Sequence, residues 1–198
     1  MVICVFGASS TWGAWDKERG GWVNRLRLFL ENGNTDTNVY NLGVSGDTTE
    51  DLLKRLDCEA GAREAELVIF SIGDNDSAYE NKEGNYQVPP EKFKKNLLKL
   101  IKIAGKFADK IIFLGLKPVD EFKTKPVLWH DVIYYTNKNI DLYDSIIKDI
   151  CGKCKIGYID IKSVLDKNDL ADGLHPNENG HQKIFEAVKD HLFKNKLV

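Results

Sequence analysis

No apolar run in this sequence approaches the roughly 20 residues needed to cross a bilayer, so a membrane-spanning helix is not expected. Excess charge is also absent. Twenty-eight Lys and Arg stand against 30 Asp and Glu, a net charge of −2, which makes no case for nucleic acid or another polyanion as partner. Cysteine is scarce: Cys4, Cys58, Cys151 and Cys154. Cys151-Gly-Lys-Cys154 has no second ligand pair at matching spacing, so it does not read as zinc, and it precedes a strand rather than opening a helix, so it does not read as a redox pair. Free thiols in a reducing compartment follow, with Cys4 a small buried hydrophobe. Four histidines are too few for a carboxylate-rich dinuclear metal site. The first residues, VICVF, lack the basic start and long apolar stretch of a signal peptide, and the expected location is cytoplasmic. There is no internal repeat and no Pro/Gly-rich linker, so 198 residues are expected to form one domain, 1–198.

What the sequence does contain is a series of short strand-like runs: Val2 to Phe6 and Leu67 to Ile72, apolar throughout, the short, β-prone Asn38 to Leu42, and Lys110 to Leu116 and Ile156 to Ile161. Runs apolar throughout are strands buried on both faces. Between them lie amphipathic segments. Val23 to Glu31 carries Leu26, Phe29 and Leu30 at helical spacing and is closed by Asn32-Gly33-Asn34. Asp47 and Glu50 have capping-box spacing ahead of Leu52, Leu53 and Leu56. Glu91 to Gly105 is a clear helix, its lysines a solvated face. A long helix is expected from about Asp131, with Ile140, Tyr143, Ile147 and Ile150 inward, and a last one begins at Pro176 and runs to about Phe193, with His181 and His191 on its surface. The stretches 77–90 and 117–130 read as irregular connections. Strands alternating with helices predict an α/β fold with a central, five-stranded, mostly parallel sheet covered on both sides.

In such a sheet the connections after the strands open on one edge, where ligands bind. The first, Gly7-Ala8-Ser9-Ser10-Thr11, presents Ser9. An isolated serine there more often caps a helix; the residues that share its edge change that reading. Gly43 follows the second strand, Asn75 the third, and Asp172 with His175 the fifth. Acyl transfer needs a nucleophile, a base, an acid that orients the base, and donors for an oxyanion. Ser9, His175 and Asp172 suit the first three roles, and the Gly43 N–H and the Asn75 amide suit the last.

The ordered set Gly7-Ala8-Ser9-Ser10-Thr11-Trp12-Gly13, Asn41-Leu42-Gly43-Val44-Ser45-Gly46-Asp47-Thr48, Gly73-Asp74-Asn75-Asp76 and Asp172-Gly173-Leu174-His175-Pro176 resembles the blocks of the SGNH hydrolases, also called the GDSL esterase/lipase family. The resemblance implies a three-layer flavodoxin-like fold and ester hydrolysis without metal or other cofactor. It implies Ser9 as nucleophile, Asp172 and His175 completing a triad, and Ser9, Gly43 and Asn75 forming the oxyanion hole. Ala8 departs from it, standing where the family usually has aspartate. The substrate is then a small ester, for which a short acyl ester, an acetylated sugar and a lysolipid are all compatible. Trp12, Trp15, Tyr79, Tyr86 and Trp129 are candidates to line its pocket.

Overall fold

The computed structural model describes residues 1–33 and 36–198; Asn34, part of the expected stop after the first long helix, lies outside them. Five parallel strands form the sheet: β1 (Val2–Gly7), β2 (Asn38–Gly43), β3 (Leu67–Ser71), β5 (Lys110–Leu114) and β7 (Gly157–Ile159), in spatial order β2-β1-β3-β5-β7. This is the doubly wound flavodoxin-like order. Each central strand alternates between two cores. Cys4 and Phe6 of β1, Val68 and Phe70 of β3, and Ile111 and Phe113 of β5 face one side. There they meet α3 (Thr49–Gly61), α5 (Pro90–Ala104) and α7 (Asn137–Cys154). Ile3 and Val5, Leu67 and Ile69, and Ile112 and Leu114 face the other side, against α2 (Trp22–Asn32) and α8 (Glu178–Lys194). Burial on both faces is why the strands read as unbroken apolar runs.

Short elements sit at the carboxyl edge: α1 (Ser9–Trp12), α4 (Asp74–Ser77), α6 (Glu121–Thr124), and the strands β4 (Tyr79–Glu80) and β6 (Ile133–Tyr134), which pair antiparallel. That pairing corrects two expectations. The 77–90 stretch is not structureless, and α7 cannot begin at Asp131, because Ile133 and Tyr134 are held extended and Thr136 caps the helix by accepting the Asn139 N–H at 3.2 Å.

Other boundaries also move. The α3 box joins Thr48 to Asp51 rather than Asp47 to Glu50, since Asp47 is drawn to Arg55. Pro176 lies before α8, where it bridges Leu170, and Asn177 caps the helix by accepting the Gly180 N–H. Phe29 is half exposed, edge-on to Phe185 and Phe193. His181, expected on the surface, is fully buried. Among the described residues no helix is long and apolar enough to cross a membrane, and the four cysteines are unpaired, Cys4 and Cys151 buried, Cys58 and Cys154 exposed.

Candidate active site

The site gathers where β1 and β3 part, the switch point at which ligands bind in sheets of this order. β1 delivers Ser9 as the first residue of α1. The bends after β7 deliver Asp172 and His175, the latter 166 residues from Ser9 in sequence. The Ser9 Oγ lies 2.9 Å from His175 Nε2, and His175 Nδ1 lies 2.7 Å from Asp172 Oδ2. With the proton on Nδ1, donated to the carboxylate, the Nε2 lone pair faces the serine hydroxyl. Asp172 Oδ1 accepts the backbone N–H groups of Leu174 (3.0 Å) and His175 (2.8 Å), and Oδ2 also accepts the indole N–H of Trp15 (2.8 Å). Burial opposes ionisation of Asp172, but the hydrogen bonds from the His175 side chain and backbone outweigh it and hold the carboxyl well below the usual carboxylate range.

Asn75, the second residue of α4, is buried. Its Nδ2 donates to the Asp47 carbonyl at 2.8 Å, and its Oδ1 accepts the buried Tyr135 hydroxyl at 2.8 Å. Those two bonds orient the amide. One N–H hydrogen is thereby committed and the second remains for a ligand.

Gly43 does not join the group. Its N–H donates to the Asn41 side chain at 3.1 Å, and a Cβ there would come within 2.2 Å of the Trp12 backbone nitrogen. Its lack of a side chain lets α1 approach β2; it supplies no free donor. Gly46, three residues on, lines the same cavity as Ser9, Asn75 and His175. It sits at φ +87°, a region favouring glycine, and its N–H has no acceptor among the described residues. Sequence reasoning missed Gly46, although both glycines lie in one quoted block.

Reasoning from sequence also missed Arg55. Its guanidinium donates to the carbonyls of Gly7 (3.3 Å) and Leu42 (2.9 Å) and pairs with Asp47 (2.8 Å) and Glu59 (3.0 Å), fastening the ends of β1 and β2 to the Gly46 loop. Asp76 is turned away from the site. It is buried against the N-terminus of α3, where it accepts the Thr49 N–H at 3.0 Å, and burial pushes its carboxyl up to about 7. Asp47 is engaged by Arg55, Asp74 by Lys117 (2.6 Å) and Asp76 by Thr49, each separately. No group of three or more His, Cys, Asp or Glu side chains among the described residues is arranged to hold a metal.

The cavity over Ser9 measures about 720 Å³. Trp12, Trp15 and Trp129 line it, each at least half exposed, together with His130. Tyr79 and Tyr86 do not: the first stacks on Tyr134 and the second packs on Tyr143. Trp129 also leans on His175, ring centroids 5.5 Å apart.

Comparison with known proteins agrees with this architecture. The GDSL-like Lipase/Acylhydrolase family model matches residues 5–183, and the chain belongs to that family of carboxylic ester hydrolases. Among solved structures, a lipase/acylhydrolase from Enterococcus faecalis superposes with a TM-score of 0.81 at 22% identity, covering 98% of this chain and 96% of that one. Axe2, an acetylxylan esterase from Geobacillus stearothermophilus, gives 0.76 at 20% identity over 94% and 91%. At such identities these neighbours speak to the fold. An uncharacterized lipoprotein, YqeF, of Bacillus subtilis (strain 168) is 25% identical over 95% of this chain and 88% of its own length.

Proposed function

We propose that the chain is a single serine-esterase domain in which Ser9, His175 and Asp172 act as a triad. The observation that carries the reading is the continuous hydrogen-bonded line from Ser9 Oγ through His175 to Asp172, 2.9 and 2.7 Å, opening into a cavity. His175 Nε2 takes the Ser9 proton as Oγ attacks the ester carbonyl. The resulting oxyanion is met by the N–H groups of Ser9 and Gly46 and the free amide hydrogen of Asn75. The imidazolium then protonates the departing alcohol, leaving an acyl-serine. Water, activated by the same histidine, releases the acid and restores Ser9.

Gly46 replaces Gly43 in this reading, because only the former has an N–H free to donate. The open, tryptophan-walled cavity suits a small ester: a short acyl ester, an acetylated sugar or a lysolipid. Hydrolysis of p-nitrophenyl esters of increasing acyl length, beside acetylated saccharides and lysolipids, separates these. The unpaired thiols fit the cytoplasm, whereas a relative named as a lipoprotein points the other way; subcellular fractionation decides.

The central test is covalent labelling by a fluorophosphonate. Peptide mapping should place the label on Ser9, and Ser9→Ala should abolish both labelling and turnover while leaving the melting temperature nearly unchanged. Label on Ser10, or turnover retained in Ser9→Ala, overturns the proposal.

A further inference from the structure

We infer that Trp15 is a positioning residue for the reaction, its indole N–H holding Asp172 so that the carboxylate keeps His175 aimed at Ser9; this rests on the triad reading above. Three independent features converge on the indole. First, the Trp15 Nε1–H donates to Asp172 Oδ2 at 2.8 Å, the same oxygen that His175 Nδ1 contacts at 2.7 Å. Asp172 therefore has an acceptor fixed from two directions, and its other oxygen is fixed by two backbone N–H groups.

Second, Trp15 reaches it from a backbone at φ +67°, a strained conformation in which a bulky side chain is rarely found. The ring is half exposed, so core packing does not explain that strain. A strained conformation that is kept needs surroundings that enforce it.

Third, those surroundings are present. The loop between α1 and α2 is pinned from inside by Asp16, which accepts the Arg19 and Gly21 N–H groups and pairs with the buried Arg25 guanidinium at 2.9 Å. Gly13 and Gly21 touch back to back, a Cβ on Gly21 coming 2.4 Å from the Gly13 Cα. Buried His181 accepts the Trp22 N–H with Nδ1 and donates from Nε2 to the Ala14 carbonyl, beside Trp15 itself. A buried ion pair, a glycine contact and a buried imidazole thus make rigid one short loop, whose half-exposed tip ends on the triad carboxylate. A side chain needed only to wall the cavity would not require such a frame.

The test is a double-mutant cycle between Trp15→Phe and Asp172→Asn, with kcat, KM and stability measured on p-nitrophenyl acetate. Trp15→Phe keeps an aromatic wall and deletes the donor. A hydrogen bond to a charged group is lost, and kcat should fall by about 10- to 100-fold with KM within about threefold. In the Asp172→Asn background the same substitution should cost less than about threefold, because the indole acts through that carboxylate. Trp15→Gly, which relieves the positive φ, should fold at least as readily as Trp15→Phe and lose comparable kcat, separating loop strain from function. With ¹⁵N-labelled tryptophan, the Trp15 indole resonance should move in Asp172→Asn.

Full additivity of the two substitutions, or unchanged kcat in Trp15→Phe while Asp172→Asn is crippled, overturns the role of Trp15 and leaves the triad standing. Full activity in Asp172→Asn itself overturns the triad reading, and the positioning role with it.

Discussion

Replacing Asn75 by alanine removes three things at once, and the structure allows them to be separated. The free amide hydrogen is an oxyanion donor in the proposed mechanism. Losing one such donor lowers kcat by about 10²–10³ and leaves KM nearly unchanged, because the bond strengthens as charge develops on the substrate oxygen. The other two losses concern folding. Tyr135, buried and 2.8 Å from Asn75 Oδ1, is left with a hydroxyl that has no acceptor, and the Asp47 carbonyl loses its donor. Each unsatisfied buried group costs about 1–3 kcal/mol, so Asn75→Ala should be destabilised by about 2–6 kcal/mol in urea. Adding Tyr135→Phe removes the orphaned hydroxyl and should restore about 1–2 kcal/mol of that stability. It should not restore kcat. Steady-state kinetics on p-nitrophenyl acetate beside urea unfolding of the single and double variants reads both quantities. If kcat returns with stability, or if KM rises while kcat holds, Asn75 is a structural or substrate-binding residue and the oxyanion lies elsewhere.

The two glycines of the second block should respond differently. Gly46→Ala, at φ +87° with open space around it, should cost about 1–2 kcal/mol of stability and distort the donor, reducing kcat at near-constant KM. Gly43→Ala meets the Trp12 backbone at 2.2 Å and should show chiefly as a lowered melting temperature and poor expression. Asp76 gives a stability prediction with a definite sign. Burial raises its folded pKa to about 7 from the ordinary 3.8, so its contribution is fully present below about pH 4 and is lost as pH rises through 7. Asp76→Asn should therefore gain stability relative to the parent between pH 4 and 8, by up to about 4 kcal/mol. Equal pH slopes for both proteins in urea titrations would show that Asp76 is ionised at low pH in the native state. Asp172→Asn should lose kcat by several orders of magnitude through mis-set imidazole orientation, and combining it with His175→Ala should add little, as members of one unit are not additive.

The sheet was legible because its central strands β1, β3 and β5 are buried on both faces, and an unbroken apolar run is what such burial selects. The ordered blocks carried Ser9, Asn75, Asp172 and His175 to one edge. Much of what escaped the sequence was settled by contacts distant along the chain. The start of α7 depends on Ile133 and Tyr134 finding Glu80 and Tyr79. His181 reads as a surface histidine on an amphipathic helix until the Ala14 carbonyl and the Trp22 N–H close over it. Between Gly43 and Gly46, local composition cannot tell which N–H is free, because the answer lies in a side chain, Asn41, turning back on its own strand. Trp15 could be placed near a pocket, but nothing local to it announces that its ring nitrogen meets a carboxylate 157 residues away.

In the proposed mechanism, the 166-residue separation of Ser9 and His175 makes turnover a report on the whole sheet. Ser9 is fixed by β1, near the middle of the strand order, while His175 is carried on the chain that leaves β7 at one margin. A partly folded state that kept β2, β1 and β3 but let β7 and α8 detach would retain most of its central core and a correctly held serine, yet hold no base. Loss of hydrolysis on mild denaturation should therefore precede loss of helical circular dichroism, and the gap between the two curves measures how independently that margin opens.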